Sequence, residues 1–280
     1  MRMQMALRLS KKYPAAGGYA ATEFAAALSA GVMESTDDNA TLNFPGGVFN
    51  HPLHTYYNII MRSDFAMSKT ISDYMNTNND NRRTVFGSST NGVPYGLEQG
   101  GGALGIGTWI SGNGNWSLIL SANNRLPASP VVIFGAANAF LARAEAANRG
   151  WTTEDAASMY SLGIQRSWEQ WGVYDATNFS SYMSQSGINL SSGSALQKIN
   201  TQQWMAYYPA GTQGWANWRR TGFPIMTVPP NNNNLPIPRR FPYGPNEPQL
   251  NPTNYALAAT NYSLGGVPNS QNARIWWDPQ

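Results

Sequence analysis

Cysteine is absent from the chain, which excludes a disulfide framework and any thiolate metal site. The absence is compatible with export and does not establish it. Histidine is scarce: the two present, His51 and His54, form an HxxH pair. Zinc there would need its remaining ligands from acids alone, so the pair reads as a loop entering a short helix through Tyr56, Tyr57 and Ile59. Charge is thin, at 12% of residues with a formal net charge of +3. The dense basic spots are Arg82-Arg83, Arg219-Arg220 and Arg239-Arg240, and three separated pairs make no nucleic-acid footprint. No run approaches the roughly 18 apolar residues of a spanning helix. The opening MRMQMALRLSKKYP is basic and partly apolar but lacks the continuous apolar stretch and cleavage site of a secretion signal. It reads as an amphipathic helix with Met5, Leu7 and Leu9 part-buried.

A catalytic constellation is missing too. Glycosidic hydrolysis needs two carboxylates roughly 5–10 Å apart, and no spacing unites any two of Asp37, Asp38, Glu98, Glu145 and Glu154. No GxSxG elbow accompanies either histidine. GGGALGIG (100–107) has no preceding buried strand, no GK[ST] and no ribose-binding acid, which excludes a nucleotide loop. Asp37-Asp38-Asn39 offers clustered oxygens to calcium, but an Asx-type turn accounts for the same residues. The expectation is a protein that binds, without enzymatic activity, cofactor or metal site.

What is present is helical. Phe134, Ala137, Phe140, Leu141 and Ala144 recur at helical spacing, and Gly150 stops the run. Thr152 or Thr153, followed by Glu154 and Asp155, then caps a second helix to Gly172, with Tyr160, Gly163, Ile164, Trp168 and Trp171 on one side. Small residues on both let the helices approach closely, as in tetratricopeptide-like hairpins. Residues 1–12 and 19–30 form another pair of that length. Further helices are expected over 68–75, after Asp175, after Ser194, over GTQGWANWRRTG up to Gly222, and over 251–262. Glu145 is expected buried, paired with Arg143 or Arg149, or with an arginine of the 219–220 pair. Asp80 and Arg82 are expected to pair locally. The fold class is therefore mainly α, with tetratricopeptide-like hairpins packed against a loop-rich irregular region.

Two stretches break the helical texture. Residues 84–130 are rich in Gly and Asn, and a loop so long in a compact domain tends to be functional or disordered. Residues 224–250 are proline-rich and read as an extended arm, because proline is excluded from helix interiors and central strands. The chain holds 10 Trp, 14 Tyr and 10 Phe. Most fall on helix faces or closing motifs, where packing is the default: Trp151, Trp168, Trp171, Trp204 and Trp276. Tyr95, Trp109 and Trp116 instead sit on the polar loop, as anchors that pin it or as a platform for a ligand. With Asn113 and Asn115 beside them, they are the candidate ligand-binding residues, since ring faces stack on sugar C–H faces while amides bond hydroxyls.

NAFLARAEAANRGW (138–151) followed by a YxxGIQxSWEQWG helix resembles the SusD/RagB family of nutrient-binding outer-membrane lipoproteins, in its second SusD-like subgroup. NNDNRR (78–83), INTQQWMAYYPAGTQGWANWRRTGFP (199–224), LPIPRRFPYGPNEPQLNPTNY (235–255) and RIWWD (274–278) are similar to that family in the same order. The resemblance covers the chain as a single SusD-like domain. It implies a cell-surface protein at the outer membrane that captures a nutrient, foremost an oligosaccharide. The protein would pass its ligand to a TonB-dependent transporter barrel that it covers. It also implies a signal peptide and a lipid-anchor cysteine; neither occurs here, so the chain is expected to lack the family's N-terminal part. A peptide- or protein-binding helical-repeat scaffold and, behind it, a glycoside hydrolase are the alternatives.

Overall fold

The computed structural model describes residues 1–62, 66–94, 116–228 and 236–279. Helix α1 (Arg2–Arg8) packs against α2 (Tyr19–Ser29), and the first helix is shorter than the expected 1–12. Its buried face is Met3, Ala6 and Leu7, at i, i+3 and i+4, while Met5 points outward at 58% exposure. The expected stripe of Met5, Leu7 and Leu9 is thus displaced by one helical step: Leu7 is fully in the core and Leu9 part-buried. After α2, a strand β1 (Ala40–Leu42) leads to the short helix α3 (Pro52–His54), which runs on as one wide turn over Thr55–Ile59. Helix α4 (Lys69–Thr77) is capped by the Ser68 hydroxyl, and α5 (Arg83–Phe86) follows the Asn-rich turn.

Strand β2 (Val131–Phe134) pairs antiparallel with β1, Ala40 opposite Phe134 and Leu42 opposite Val131. This corrects the start of the central hairpin: Phe134 belongs to the strand, and α6 spans Ala136–Asn148. The partner helix α7 (Ala156–Gln170) is capped by Asp155, not by Thr152 or Thr153. Gly150 turns the chain at φ 71° and the two threonines remain in the bend. Asp155 is therefore the residue left at the helix mouth, its carboxylate accepting the Ser158 N–H at 2.8 Å. A Cβ at Gly163 of α7 would come within 2.6 Å of the Leu141 side chain, so glycine sets the spacing of the hairpin.

Helix α6 is buried on almost every side. Ala139, Ala142 and Ala146 join the α1–α2 core with Phe24 and Trp151. Ala137, Leu141 and Ala144 face Tyr160, Ile164 and Trp168 of α7, and this second core continues into Phe179, Tyr182, Ile188 and Ile199. An alanine-rich helix suits a position between two layers, since backbones approach closely only where side chains are small. The outer helices α8 (Ala176–Ser184), α9 (Ala195–Ala206) and α10 (Gly211–Thr221) start as expected, although α9 stops at Ala206, short of Pro209. Asp175 and Ser194 accept the Asn178 and Gln197 N–H groups, and Gly222 closes α10 at φ 79°.

Two buried ion pairs cross-link the layers. Arg82 makes a two-pronged pair with Asp80 and also donates to Ser167 and to Gln202, which nails the 78–83 turn onto α7 and α9. Glu145 accepts from Arg220 at 2.7 Å and from Arg149 at 2.8 Å. The described parts of the 224–250 arm lack regular structure until α11 (Glu247–Leu250) and α12 (Pro252–Asn261). At the C-terminus, Asp278 is buried among Lys11, Arg239 and Arg274. Trp277 is half-buried, with the Arg219 guanidinium 4.9 Å from its ring centre. Trp276 departs from its expected core position and is 61% exposed: the closing turn takes Asp278 inward and leaves its neighbour two residues back in solvent.

Candidate functional site

The long loop leaves and re-enters the body at one place. Val93 donates to the Met67 carbonyl at 2.8 Å, Met67 donates to the Ser117 carbonyl at 2.8 Å, and Ser117 donates to the Asn91 carbonyl at 2.6 Å. Leu118 N–H is accepted by the Ser88 hydroxyl at 2.9 Å and Ile119 N–H by the Tyr57 hydroxyl at 3.1 Å. Leu120 and Ser121 then donate to Phe86 and Val85. A Cβ at Gly87 would lie 1.9 Å from the Ser117 hydroxyl and 2.4 Å from the end of Met67, so the two legs of the stem can touch only because that residue is glycine. Backbone donors satisfied within the stem fix both ends of the loop.

Aromatic rings gather beneath the stem. Tyr208 stacks on Phe86 with centroids 4.4 Å apart, and its hydroxyl donates to the Phe86 carbonyl at 2.6 Å. Burial pushes the Tyr208 phenol above its usual range, so it stays protonated and donating. Trp171 meets Phe86 edge-on at 5.2 Å. The Arg125 guanidinium lies 4.5 Å from the centre of the Tyr57 ring, a contact that compensates part of its desolvation.

Two cavities lie on either side of Tyr208 and Pro209. One, of about 200 Å³, is walled by the stem (Met67, Ile119) and by Ile71, Trp204 and Tyr207. The other, of about 160 Å³, is lined by His51, Asn123, Asn124, Gln170 and Trp171. In the second cavity His51 is 2% exposed and its Nδ1 accepts the Leu53 N–H at 3.1 Å. Burial, with a smaller contribution from His54, holds its pKa below the usual value. The neutral ring therefore carries its proton on Nε2, and neither that nitrogen nor the Trp171 indole nitrogen has a partner among the described residues. Rings and amides are the chemistry of a neutral polyhydroxylated ligand, while those two nitrogens are themselves shut from solvent.

The proposed ligand residues divide. Trp116 stands at the foot of the stem, half-buried, its indole nitrogen shut from solvent with no partner among the described residues. Tyr95, Trp109, Asn113 and Asn115 lie outside the described residues. The cavity rings Trp204, Tyr207 and Tyr208 and the polar His51, Asn123 and Gln170 are not ligand residues in the sequence reading, which takes Trp204 as core and His51 as a loop residue. WMAYYP held a signal for the first three: Trp204, Tyr207 and Tyr208 stand at i, i+3 and i+4, a single ring-bearing helix face.

Three of the five acids weighed for hydrolysis are occupied elsewhere. Glu145 is held by Arg220, Glu154 by Arg143 at 2.9 Å, and Asp38 by the Glu34 and Ser35 N–H groups at 2.8 and 2.9 Å, which lower its pKa. Glu98 lies outside the described residues. Among the described residues, no group of three or more metal-ligating side chains is present and no helix is long and apolar enough to cross a membrane.

A SusD-like family model, described as starch-binding and associating with the outer membrane, matches residues 1–244. No curated protein sequence matches the chain. A SusD homologue from Bacteroides uniformis superposes with a TM-score of 0.79 at 26% identity, over 100% of this chain and 63% of its own. A chitin-binding SusD homologue from Flavobacterium johnsoniae gives 0.77 at 25%, over 99% and 62%. Another structure, titled a chitin-binding protein, gives 0.76 at 26%, over 100% and 63%. The chain thus spans under two thirds of the length of each of these three structures. With the helical layers, the motif order and the match over residues 1–244 in agreement, the chain belongs to the SusD-like family of outer-membrane-associated binding proteins.

Proposed function

We propose that this protein binds an oligosaccharide at the cell surface and works with a TonB-dependent outer-membrane transporter, to which it passes the captured ligand. The observation that carries the reading is a pair of cavities at the foot of the stem that share Tyr208 and are lined by aromatic rings and amides. The family description and the two chitin-binding neighbours support a glycan over other nutrients. Tyr95, Trp109 and Trp116 would stack on sugar rings while Asn113 and Asn115 bond hydroxyls. Membrane attachment in this reading is through a lipid anchor. Stacking contacts of this kind are individually weak, which suits capture followed by release.

Affinity electrophoresis through polysaccharide gels tests the proposal. Retardation by at least one glycan is expected, weakened in Trp109→Ala and Tyr95→Ala. Free migration in every gel, together with binding to peptides, would transfer the protein to the peptide-scaffold reading, and release of reducing ends would make it a hydrolase. Co-purification of the barrel with the natural protein tests the transporter.

A further inference from the structure

We infer that the cavity beside Trp204 selects sugars that carry an acetamido group, the methyl entering the apolar floor and the carbonyl oxygen accepting the Trp204 indole N–H. This inference rests on the oligosaccharide reading and names the sugar class. The floor and stem-side wall are Met67, Ile71 and Ile119, and the cavity of about 200 Å³ is bounded on the other side by the rings of Trp204, Tyr207 and Tyr208. A plain hydroxyl set against Met67, Ile71 and Ile119 would lose its water without gaining a partner from those side chains, which is unfavourable. An apolar substituent fits the floor, provided its own polar atoms reach a donor.

One ring donor remains to meet that need. The Tyr207 hydroxyl donates to Gln4 at 2.5 Å and the Tyr208 hydroxyl to the Phe86 carbonyl at 2.6 Å, so both phenols are committed. The Trp204 indole N–H donates to no group among the described residues, and it is not one of the polar atoms shut away from solvent. Gly214 keeps its edge uncovered: a Cβ there would stand 3.1 Å from both the Nε1 and Cδ1 atoms of Trp204. An apolar floor with a single open N–H at its rim matches an acetamide, which has a methyl at one end and a strong acceptor oxygen beside it. A 2-hydroxyl has no group for the floor, and a free amine brings a charge.

Chitotetraose and cellotetraose have the same linkage and length and differ at the 2-substituent, so their affinities isolate the acetamido contribution. Isothermal titration is expected to show chitotetraose binding at least about ten-fold tighter, the worth of one hydrogen bond plus a buried methyl. Trp204→Phe keeps a ring and removes the N–H, and should narrow the ratio about five-fold. Gly214→Ala, which covers the indole edge without touching the floor, should narrow it in the same direction. Should Trp204→Phe fail to fold, Gly214→Ala alone carries the test. Equal affinity for the two sugars, or an unchanged ratio in the folded variants, overturns the acetamido assignment and leaves the oligosaccharide reading standing. So does binding of maltotetraose in preference to chitotetraose. No binding to any of the three, with no retardation in any gel, overturns both.

Discussion

At the residue scale, burial separates rings that hold the stem from rings free to meet a ligand. Trp116 is half-buried at the stem with its nitrogen enclosed, so Trp116→Ala should lose both packing and presentation. A stability loss of about 1–3 kcal/mol is expected, read as a lower Tm, alongside weaker glycan binding in titration. Glu145 offers a pH test. Burial works to raise its pKa, but Arg220 and Arg149 outweigh burial and bring it from 4.5 to about 2. A carboxylate depressed in the fold contributes stability above its unfolded pKa and loses it as pH falls through the folded value. Denaturant unfolding should therefore be insensitive to this group near neutrality and weaken between about pH 5 and 2. Glu145→Gln should flatten that part of the acid limb, while costing about 3–5 kcal/mol at neutral pH because Arg220 is left buried without its carboxylate.

At the element scale, the α6–α7 hairpin is set by one missing side chain. The Cβ that Gly163→Ala adds meets Leu141 Cγ at 2.6 Å and its backbone nitrogen at 3.1 Å, and overpacking of this kind costs about 1–3 kcal/mol. Leu141→Ala alone should cost about 2–5 kcal/mol as a cavity. Because the two changes relieve each other, the double variant should be more stable than the sum of the two losses predicts. Strict additivity in chemical denaturation would show that the helices do not meet there. The Asp80–Arg82 turn acts between elements in the same way, since the guanidinium that pairs locally also reaches Ser167 of α7 and Gln202 of α9.

At the scale of the whole molecule, the first helical segment and the last turn are joined through one carboxylate. Asp278 accepts from Lys11 at 2.7 Å, from the Arg239 Nε at 3.0 Å and from Arg274 at 2.9 Å, its own side chain fully buried. Asp278→Asn removes the charge that three cations share. Hydrogen exchange should then accelerate together around residues 9–13 and around 239–240 and 270–278, with the α6–α7 hairpin unaffected. Acceleration confined to the C-terminal residues would show that the two ends are not coupled through this group.

Caps, stops and helix faces were legible because each depends on neighbours within about one turn. Asp175, Ser194 and Gly222 each act where their type and position suggest, and the pairing of Asp80 with Arg82 spans two residues. One difference was a local competition settled by geometry, Asp155 displacing Thr152 and Thr153 as cap once Gly150 had turned the chain; in another, Phe134 was drawn into a strand. That strand was not foreseeable, because its partner is ninety residues away and three or four residues carry too weak an alternation to demand pairing. The same distance hid the cavities. Trp204 and Tyr208 read as one more helix face until the stem at 67, 93 and 117 came to stand opposite them, and His51 became a cavity wall only when Trp171 arrived beside Tyr208. Composition and order of motifs carried the family and the helical class; the site depended on which rings the folded chain left without a partner, and contacts of long sequence separation decide that.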